Sequence, residues 1–245
     1  MQDYLSPRDI PAHERLIMAL DLPTIDEAKA LVEILGDSVH FYKVGLELFM
    51  AGDYFDLVAW LKARGKKVFA DLKFFDVPET VARAVRALQG HGVDFATVHG
   101  NQAIMEAAAA AKGDIRILAV TVLTSLDQGD LHDLGFDCDI SALVLSRARR
   151  ALAAGCDGVI SSGLEIPALR REVDHQLLVV SPGIRPVANR PGDDQKRVVT
   201  LEQAFLNGAD YIVVGRPIRD AANPGQAAGQ AQAQIARLFQ PNQNG

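Results

Sequence analysis

Gly208-Ala209-Asp210-Tyr211-Ile212-Val213-Val214 reads as a helix-ending glycine, a short turn and a buried strand. The same order of residue types recurs in Gly92-Val93-Asp94-Phe95-Ala96-Thr97-Val98 and in Gly155-Cys156-Asp157-Gly158-Val159-Ile160. Working outward, candidate strands cover 16–21, 41–45, 67–73, 95–99, 115–122, 158–161, 177–181 and 211–215. Helical signals lie between them. Thr24-Ile25-Asp26-Glu27 has capping-box spacing, and Ala28, Leu31, Val32 and Leu35 follow at helical period. The spacing repeats from Ser162 to Glu165 and from Thr200 to Gln203. The alanine run 107–111 is strong helix former, and the Ala- and Gln-rich tail from Gly225 predicts a last helix that frays over 240–245. Eight strands alternating with helices predict an α/β fold: one (β/α)8 TIM barrel domain over 1–245, with 1–13 as an N-terminal extension. An open doubly wound sheet is the alternative, because periodicity does not show closure. No Gly-x-Gly-x-x-Gly follows the first strand, which weakens a dinucleotide-binding reading.

Composition narrows the partners. The chain has 245 residues, 49% of them hydrophobic, enough for a sizeable core. A net charge of −6, with both signs interspersed, argues against nucleic acid while leaving room for a local basic pocket. The two cysteines, Cys138 and Cys156, lack CxxC spacing, and no histidine pair has zinc spacing. The two cysteines read as buried or free thiols of a reducing compartment, not as a disulfide framework. Neither a signal peptide nor a membrane span is visible, so the expectation is a cytoplasmic protein with no membrane partner.

In such a barrel the chemistry lies at the carboxyl ends of the strands. There stands Asp71-Leu72-Lys73-Phe74-Phe75-Asp76, closing the apolar stretch Val68-Phe69-Ala70. Alternation along a strand projects Asp71 and Lys73 to one side, with Asp76 just past its end. Charges at the mouth of a buried strand are costly unless paired, and these run minus, plus, minus. Asp76 has a second reading as the N-cap of a helix opening Val77-Pro78-Glu79. Asp21, before Leu22-Pro23, reads as a site acid or a turn residue; Lys43, within Phe41-Tyr42-Lys43-Val44-Gly45, as a site cation or half of a structural ion pair. His99 reads as a hydrogen-bonded neighbour of the site rather than a catalyst.

A second cluster follows. Ser181-Pro182-Gly183-Ile184-Arg185 opens a polar loop running to Gln195-Lys196-Arg197, and the last strand ends Gly215-Arg216-Pro217-Ile218. Loops after the seventh and eighth strands are the usual phosphate site of these barrels. Arginine supplies a bidentate fork, and glycine lets backbone N–H groups approach the oxygens. Solvated arginines on an exposed loop are the plainer reading of Arg185 alone.

Taken together these blocks resemble the orotidine 5′-phosphate decarboxylase family, its bacterial branch most closely. Its Asp-x-Lys-x-x-Asp signature is matched by Asp71, Lys73 and Asp76. Ala19-Leu20-Asp21, Phe41 to Gly45, Val120-Thr121-Val122-Leu123-Thr124-Ser125, Ser181 to Arg185 and Val214 to Ile218 match in the family's order, over roughly residues 14–220. The resemblance implies loss of CO₂ from orotidine 5′-phosphate to give uridine 5′-phosphate in de novo pyrimidine synthesis, without metal or organic cofactor, by a homodimer. It implies Lys73 as proton donor to the C6 carbanion and Asp71 beside the substrate carboxylate, with Lys43 and Asp76 completing the charged array. Asp21 and Lys43 would hold ribose hydroxyls, and Thr124, or its neighbour Ser125, would meet the pyrimidine. Gln195, Gly215 and Arg216 would grip the phosphate, with Arg185 on a closing loop. Asp76 and Thr80 would reach the neighbouring subunit's site.

Three other readings compete. A magnesium-dependent sugar-phosphate decarboxylase or synthase shares the signature, but the blocks 121–125 and 183–185 argue against it. A Schiff-base aldolase would use Lys43 or Lys73, which the flanking carboxylates keep protonated. A non-catalytic nucleotide-binding protein would not need the charged array.

Overall fold

A computed structural model describes residues 4–173, 175–185 and 197–240. Among them, eight parallel strands close into a barrel in chain order, the last pairing with the first. They are β1 (Leu16–Ala19), β2 (Phe41–Gly45), β3 (Lys67–Phe74), β4 (Phe95–His99), β5 (Arg116–Val120), β6 (Gly158–Ile160), β7 (Leu178–Ser181) and β8 (Tyr211–Val214). Closure excludes the open sheet. Helices α1 (Ile25–Leu35), α2 (Leu46–Met50), α3 (Tyr54–Ala63), α4 (Pro78–Gln89) and α5 (Gln102–Ala111) occupy the first half. The second half adds α6 (Gln128–Asp133), α7 (Ile140–Ala153), α8 (Ile166–Glu172), α9 (Leu201–Leu206), α10 (Arg216–Arg219) and α11 (Pro224–Leu238).

The glycine–x–aspartate repeat has a physical cause. Gly92, Gly155 and Gly208 have φ of 67°, 81° and 108°, where a side chain would be strained. Each aspartate then bonds one residue of the preceding strand twice. The N–H of Asp94, Asp157 and Asp210 donates to the carbonyl of Val68, Ile117 and Val179, and their carboxylates accept the N–H of those same residues at 2.8 Å. A cation neutralises each: Lys62 on Asp94, Lys112 on Asp157, Arg170 on Asp210. The repeat therefore pins the entry of β4, β6 and β8. On Asp210 the N-terminal segment is also fastened, through the Ser6 hydroxyl and the Arg8 guanidinium.

Alternation divides each strand between two cores. Ile17, Phe41, Phe69, Phe95, Leu118, Leu178 and Tyr211 point inward and fill the barrel, whereas Met18, Tyr42, Val68, Ala96 and Ile212 pack outward against the helices. Phe41, Phe95 and Tyr211 meet edge to face, with centroids 4.9–6.0 Å apart. Continuing the inward parity to the carboxyl ends leads to Asp21, Lys43, Asp71, Lys73, Thr97 and Gly215.

Several expected boundaries move. β1, β5, β6 and β8 end one or two residues earlier than expected, and β3 runs on to Phe74. Beyond the ladders single bonds persist, Leu20 to Lys43 and Thr121 to Ile160, as the chain peels into loops. Thr24 and Thr200 do cap α1 and α9, accepting the N–H of Glu27 and Gln203. The Ser162 spacing fails as a cap: Ser162 Oγ accepts from Leu164, and Glu165 takes the N-cap position without capping through its side chain. Cys138 and Cys156 are both free, and burial pushes the Cys156 thiol up to about 12. Among the described residues no helix is long and apolar enough to cross a membrane.

Candidate active site

The inward positions at the carboxyl end bring four charges into one line. Lys43 Nζ lies 3.0 Å from Asp21 Oδ1 and 3.3 Å from Asp71 Oδ2, and Lys73 Nζ lies 2.9 Å from that same Asp71 oxygen. Asp71 is 8% exposed. Burial opposes its ionisation, yet Lys43, Lys73 and the Thr97 hydroxyl together hold its carboxyl below the usual carboxylate range. Burial likewise opposes charge on Lys43, and Asp71 and Asp21 outweigh it, so the ammonium is held more tightly than usual. Asp71 and Lys43 are thus held in their charged forms by each other, at the centre of a line that alternates acid, base, acid, base.

Backbone geometry aims Lys73. The β3–β4 register shifts between Ala70 and Phe74, and Lys73 takes a φ of +48°, one of two non-glycine residues described with positive φ. Its N–H donates to Thr97 Oγ1 at 2.9 Å, and that hydroxyl donates to Asp71 Oδ1 at 2.9 Å. One threonine on β4 therefore fixes both signature residues at once. Local strain at a reactive side chain, over-determined by its neighbours, is typical of functional sites.

Above the line opens a cavity of about 580 Å³. Ala19, Phe69, Val120, Ile160 and Val213 give it apolar walls, and Asp21, Lys43, Asp71 and Lys73 line it. Thr124, Ser125, Gly183, Arg185, Gly215 and Arg216 also line it, so the expected pyrimidine and phosphate residues converge on the same space. Thr124 is the more buried of the two candidates at the pyrimidine. Gln195 lies outside the described residues. A second cavity of about 790 Å³, at the opposite end of the barrel, has Glu14 and Lys67 paired across it.

One expectation needs correction: Asp76 does not cap α4, its Oδ1 accepting the neighbouring Val77 N–H at 2.6 Å instead. Within one chain no ion pair to it forms among the described residues. Val77 occupies the N-cap, where its carbonyl takes the N–H of Thr80 and Val81. Within one chain the alternating set is Asp21, Lys43, Asp71 and Lys73, with Lys43 reaching Asp71 from the adjacent strand at 3.3 Å. Thr80 rides on the first turn of α4 and does not line the cavity. His99 stands beside Phe75, ring centroids 4.7 Å apart, its pKa lowered by burial, Arg147 and Lys73.

Two residues of the site escaped the sequence reading. Thr97 shares the inward parity of Phe95, which was its only signal. Arg219 lines the cavity, donates to the backbone carbonyl of Asp21, and forms an ion pair with Asp220.

With this geometry in hand, comparison with known proteins is specific. The sequence profile of the orotidine 5′-phosphate decarboxylase / HUMPS family matches residues 14–231. An orotidine 5′-phosphate decarboxylase of Methylococcus capsulatus is 75% identical over 239 residues, 98% of this chain and 99% of that protein. One from Xanthomonas axonopodis pv. citri is 51% identical, covering 97% of this chain and 98% of its own. The crystal structure of orotidine 5′-phosphate decarboxylase from Lactobacillus acidophilus superposes with a TM-score of 0.80 at 34% identity, covering 91% of this chain and 99% of that one.

Proposed function

The chain belongs to the orotidine 5′-phosphate decarboxylase / HUMPS family, and on that premise we propose that it converts orotidine 5′-phosphate to uridine 5′-phosphate and CO₂ with Lys73 as proton donor. It is a carboxy-lyase of de novo pyrimidine synthesis, a cytoplasmic pathway. One observation carries the mechanism: a buried carboxylate, Asp71, clasped between the ammonium groups of Lys43 and Lys73 at the floor of a cavity rimmed by Arg185 and Arg216.

The chemistry follows from those charges. The C–C bond to the carboxylate breaks, CO₂ departs, and the electron pair stays on C6 of the pyrimidine. Lys73, already cationic, stabilises that developing charge and transfers a proton to it, then regains one from solvent. Asp71 facing the substrate carboxylate adds repulsion in the ground state. Two like charges about 4 Å apart cost roughly 4 kcal/mol at an effective dielectric of 20. Enzymes commonly lower barriers by about 8–23 kcal/mol, so repulsion alone falls short and carbanion stabilisation carries the larger share. No step of this sequence calls on a metal or organic cofactor.

Remote contacts support the reaction. Arg185, Gly215 and Arg216 bind the phosphate, with Gln195; Asp21 and Lys43 hold the ribose hydroxyls; Thr124, beside Ser125, meets the pyrimidine. Binding energy gathered on the phosphate assembles the charged floor around the reacting carbon. Asp76 and Thr80 serve the site of a second subunit in a homodimer. Their position outside their own cavity supports this, as does exposure of the neighbouring Phe75 and Val77, each 64% exposed.

The test is loss of orotidine 5′-phosphate absorbance with the purified protein in excess chelator. Turnover unaffected by chelator is expected. Turnover that stops and returns with magnesium would instead assign the chain to the metal-dependent sugar-phosphate relatives.

A further inference from the structure

Beyond the charged line and the phosphate arginines, one buried guanidinium ties three strand exits together. Arg197 is 9% exposed. Its Nη1 pairs with Glu165 Oε1 at 2.6 Å, just past β6. Its Nη2 donates to the carbonyls of Val122 and Leu123 at 3.2 and 3.0 Å, past β5. Two residues on, Val199 bonds Gly183 and Arg185 past β7: its N–H donates to the Gly183 carbonyl at 3.3 Å, and its carbonyl accepts the Arg185 N–H at 3.0 Å. Val199 also presses on Gly163, where a Cβ would stand 2.3 Å from its Cγ2, so no larger residue fits.

We propose that Arg197 is a positioning residue for the pyrimidine side of the site: by holding the Val122 and Leu123 carbonyls it sets where Thr124 and Ser125 stand relative to the phosphate end. This rests on the decarboxylase reading above. Thr124 and Ser125 directly follow the two carbonyls that Arg197 grips, and both line the cavity. Arg185, two residues along from Gly183, lines the cavity's other side and is bonded to the same short segment as Arg197. The two ends of the ligand are therefore registered to each other through residues 197–199.

Stability alone does not account for the pair. Arg197 Nε and Glu165 Oε2 are buried with no hydrogen-bond partner among the described residues, and an apolar pair of similar volume would avoid both penalties. Displacements of about 1 Å in a positioning group cost as much as 100-fold in rate, which gives such an arrangement a kinetic reason to exist.

The experiment compares two inhibitors, uridine 5′-phosphate and ribose 5-phosphate, which share the phosphate and differ by the base. The variant is the double replacement Glu165→Leu with Arg197→Met, which removes both charges and leaves neither orphaned. The expected result is a folded protein whose inhibition by uridine 5′-phosphate weakens about tenfold or more while inhibition by ribose 5-phosphate stays within about threefold, with kcat reduced. Unchanged inhibition by both, or equal weakening of both, would overturn the proposal. If the double variant does not fold, Arg197→Lys keeps the ion pair and carries the same ratio test: the same selective weakening supports the proposal, and any other pattern overturns it. A wild-type protein without turnover of orotidine 5′-phosphate would overturn the functional reading itself, an outcome distinct from any pattern in the variants.

Discussion

Thr97 holds Asp71: its hydroxyl donates to Asp71 Oδ1 at 2.9 Å while accepting the Lys73 N–H at the same distance. Neither interaction is local, since β4 supplies the hydroxyl and β3 both partners. A buried hydroxyl with both hydrogen-bonding roles filled is a sensitive probe of the floor.

Thr97→Val keeps the shape and removes both bonds. It orphans a buried N–H and takes one donor from Asp71, costing about 1–3 kcal/mol in urea denaturation. With Lys73 less constrained, kcat falls roughly tenfold. Thr97→Ser, which keeps the hydroxyl, stays within about 1 kcal/mol of wild type. Equal effects of the two variants would place Thr97 among packing residues only.

The ionic line predicts a pH dependence of stability with a definite sign. Asp71 has a folded pKa below its unfolded value of about 3.9, so its contribution is present above that value and is lost as pH falls through the folded one. Lys43 is held above its unfolded value of about 10.4, so its contribution is present below that and is lost as pH rises through the folded value. The stability difference between wild type and Asp71→Asn should therefore be flat from about pH 5 to 9 and shrink below about pH 4. A difference that grows on acidification would contradict the assignment.

At the phosphate end, Arg216→Ala should lower kcat/KM by roughly 10–100-fold, the scale of one charge-assisted hydrogen bond. Arg185→Ala should act in the same direction. Because phosphate binding assembles the floor, kcat should fall as well as KM rise. Steady-state kinetics showing a pure KM effect would mean uniform binding instead.

Much of this was readable from sequence for physical reasons that act locally. Glycine at positive φ followed by an aspartate that bonds the preceding strand marks a strand entry, so Gly92, Gly155 and Gly208 reveal the repeat. Alternation alone puts Asp71 and Lys73 on one face, as found. Contacts across the barrel were not readable. Thr97 looks like an ordinary strand threonine until β3 lies beside it, and Arg219 reaches Asp21 from almost 200 positions away. Asp76 misled because an acid before Val77-Pro78-Glu79 suits an N-cap, yet its carboxylate folds back one residue onto the Val77 N–H. Glu165 misled likewise, its side chain turning to Arg197 rather than to its own helix.

The shared-site reading predicts complementation. Mixing inactive Lys73→Ala and Asp76→Ala subunits should restore up to about a quarter of wild-type activity, because one of two sites in a hybrid dimer keeps both native groups and half of randomly mixed dimers are hybrids. Subunit exchange shown by labelled chains, with no recovery of activity, would refute it.

The central claim is that Lys73 protonates the carbanion, and removing it is the most direct test. Orotidine 5′-phosphate absorbance should be followed in chelator with Lys73→Ala, alongside circular dichroism and binding of uridine 5′-phosphate. The account predicts turnover reduced by more than about 10⁴-fold in a folded protein that still binds the product. Turnover within about tenfold of wild type would contradict it.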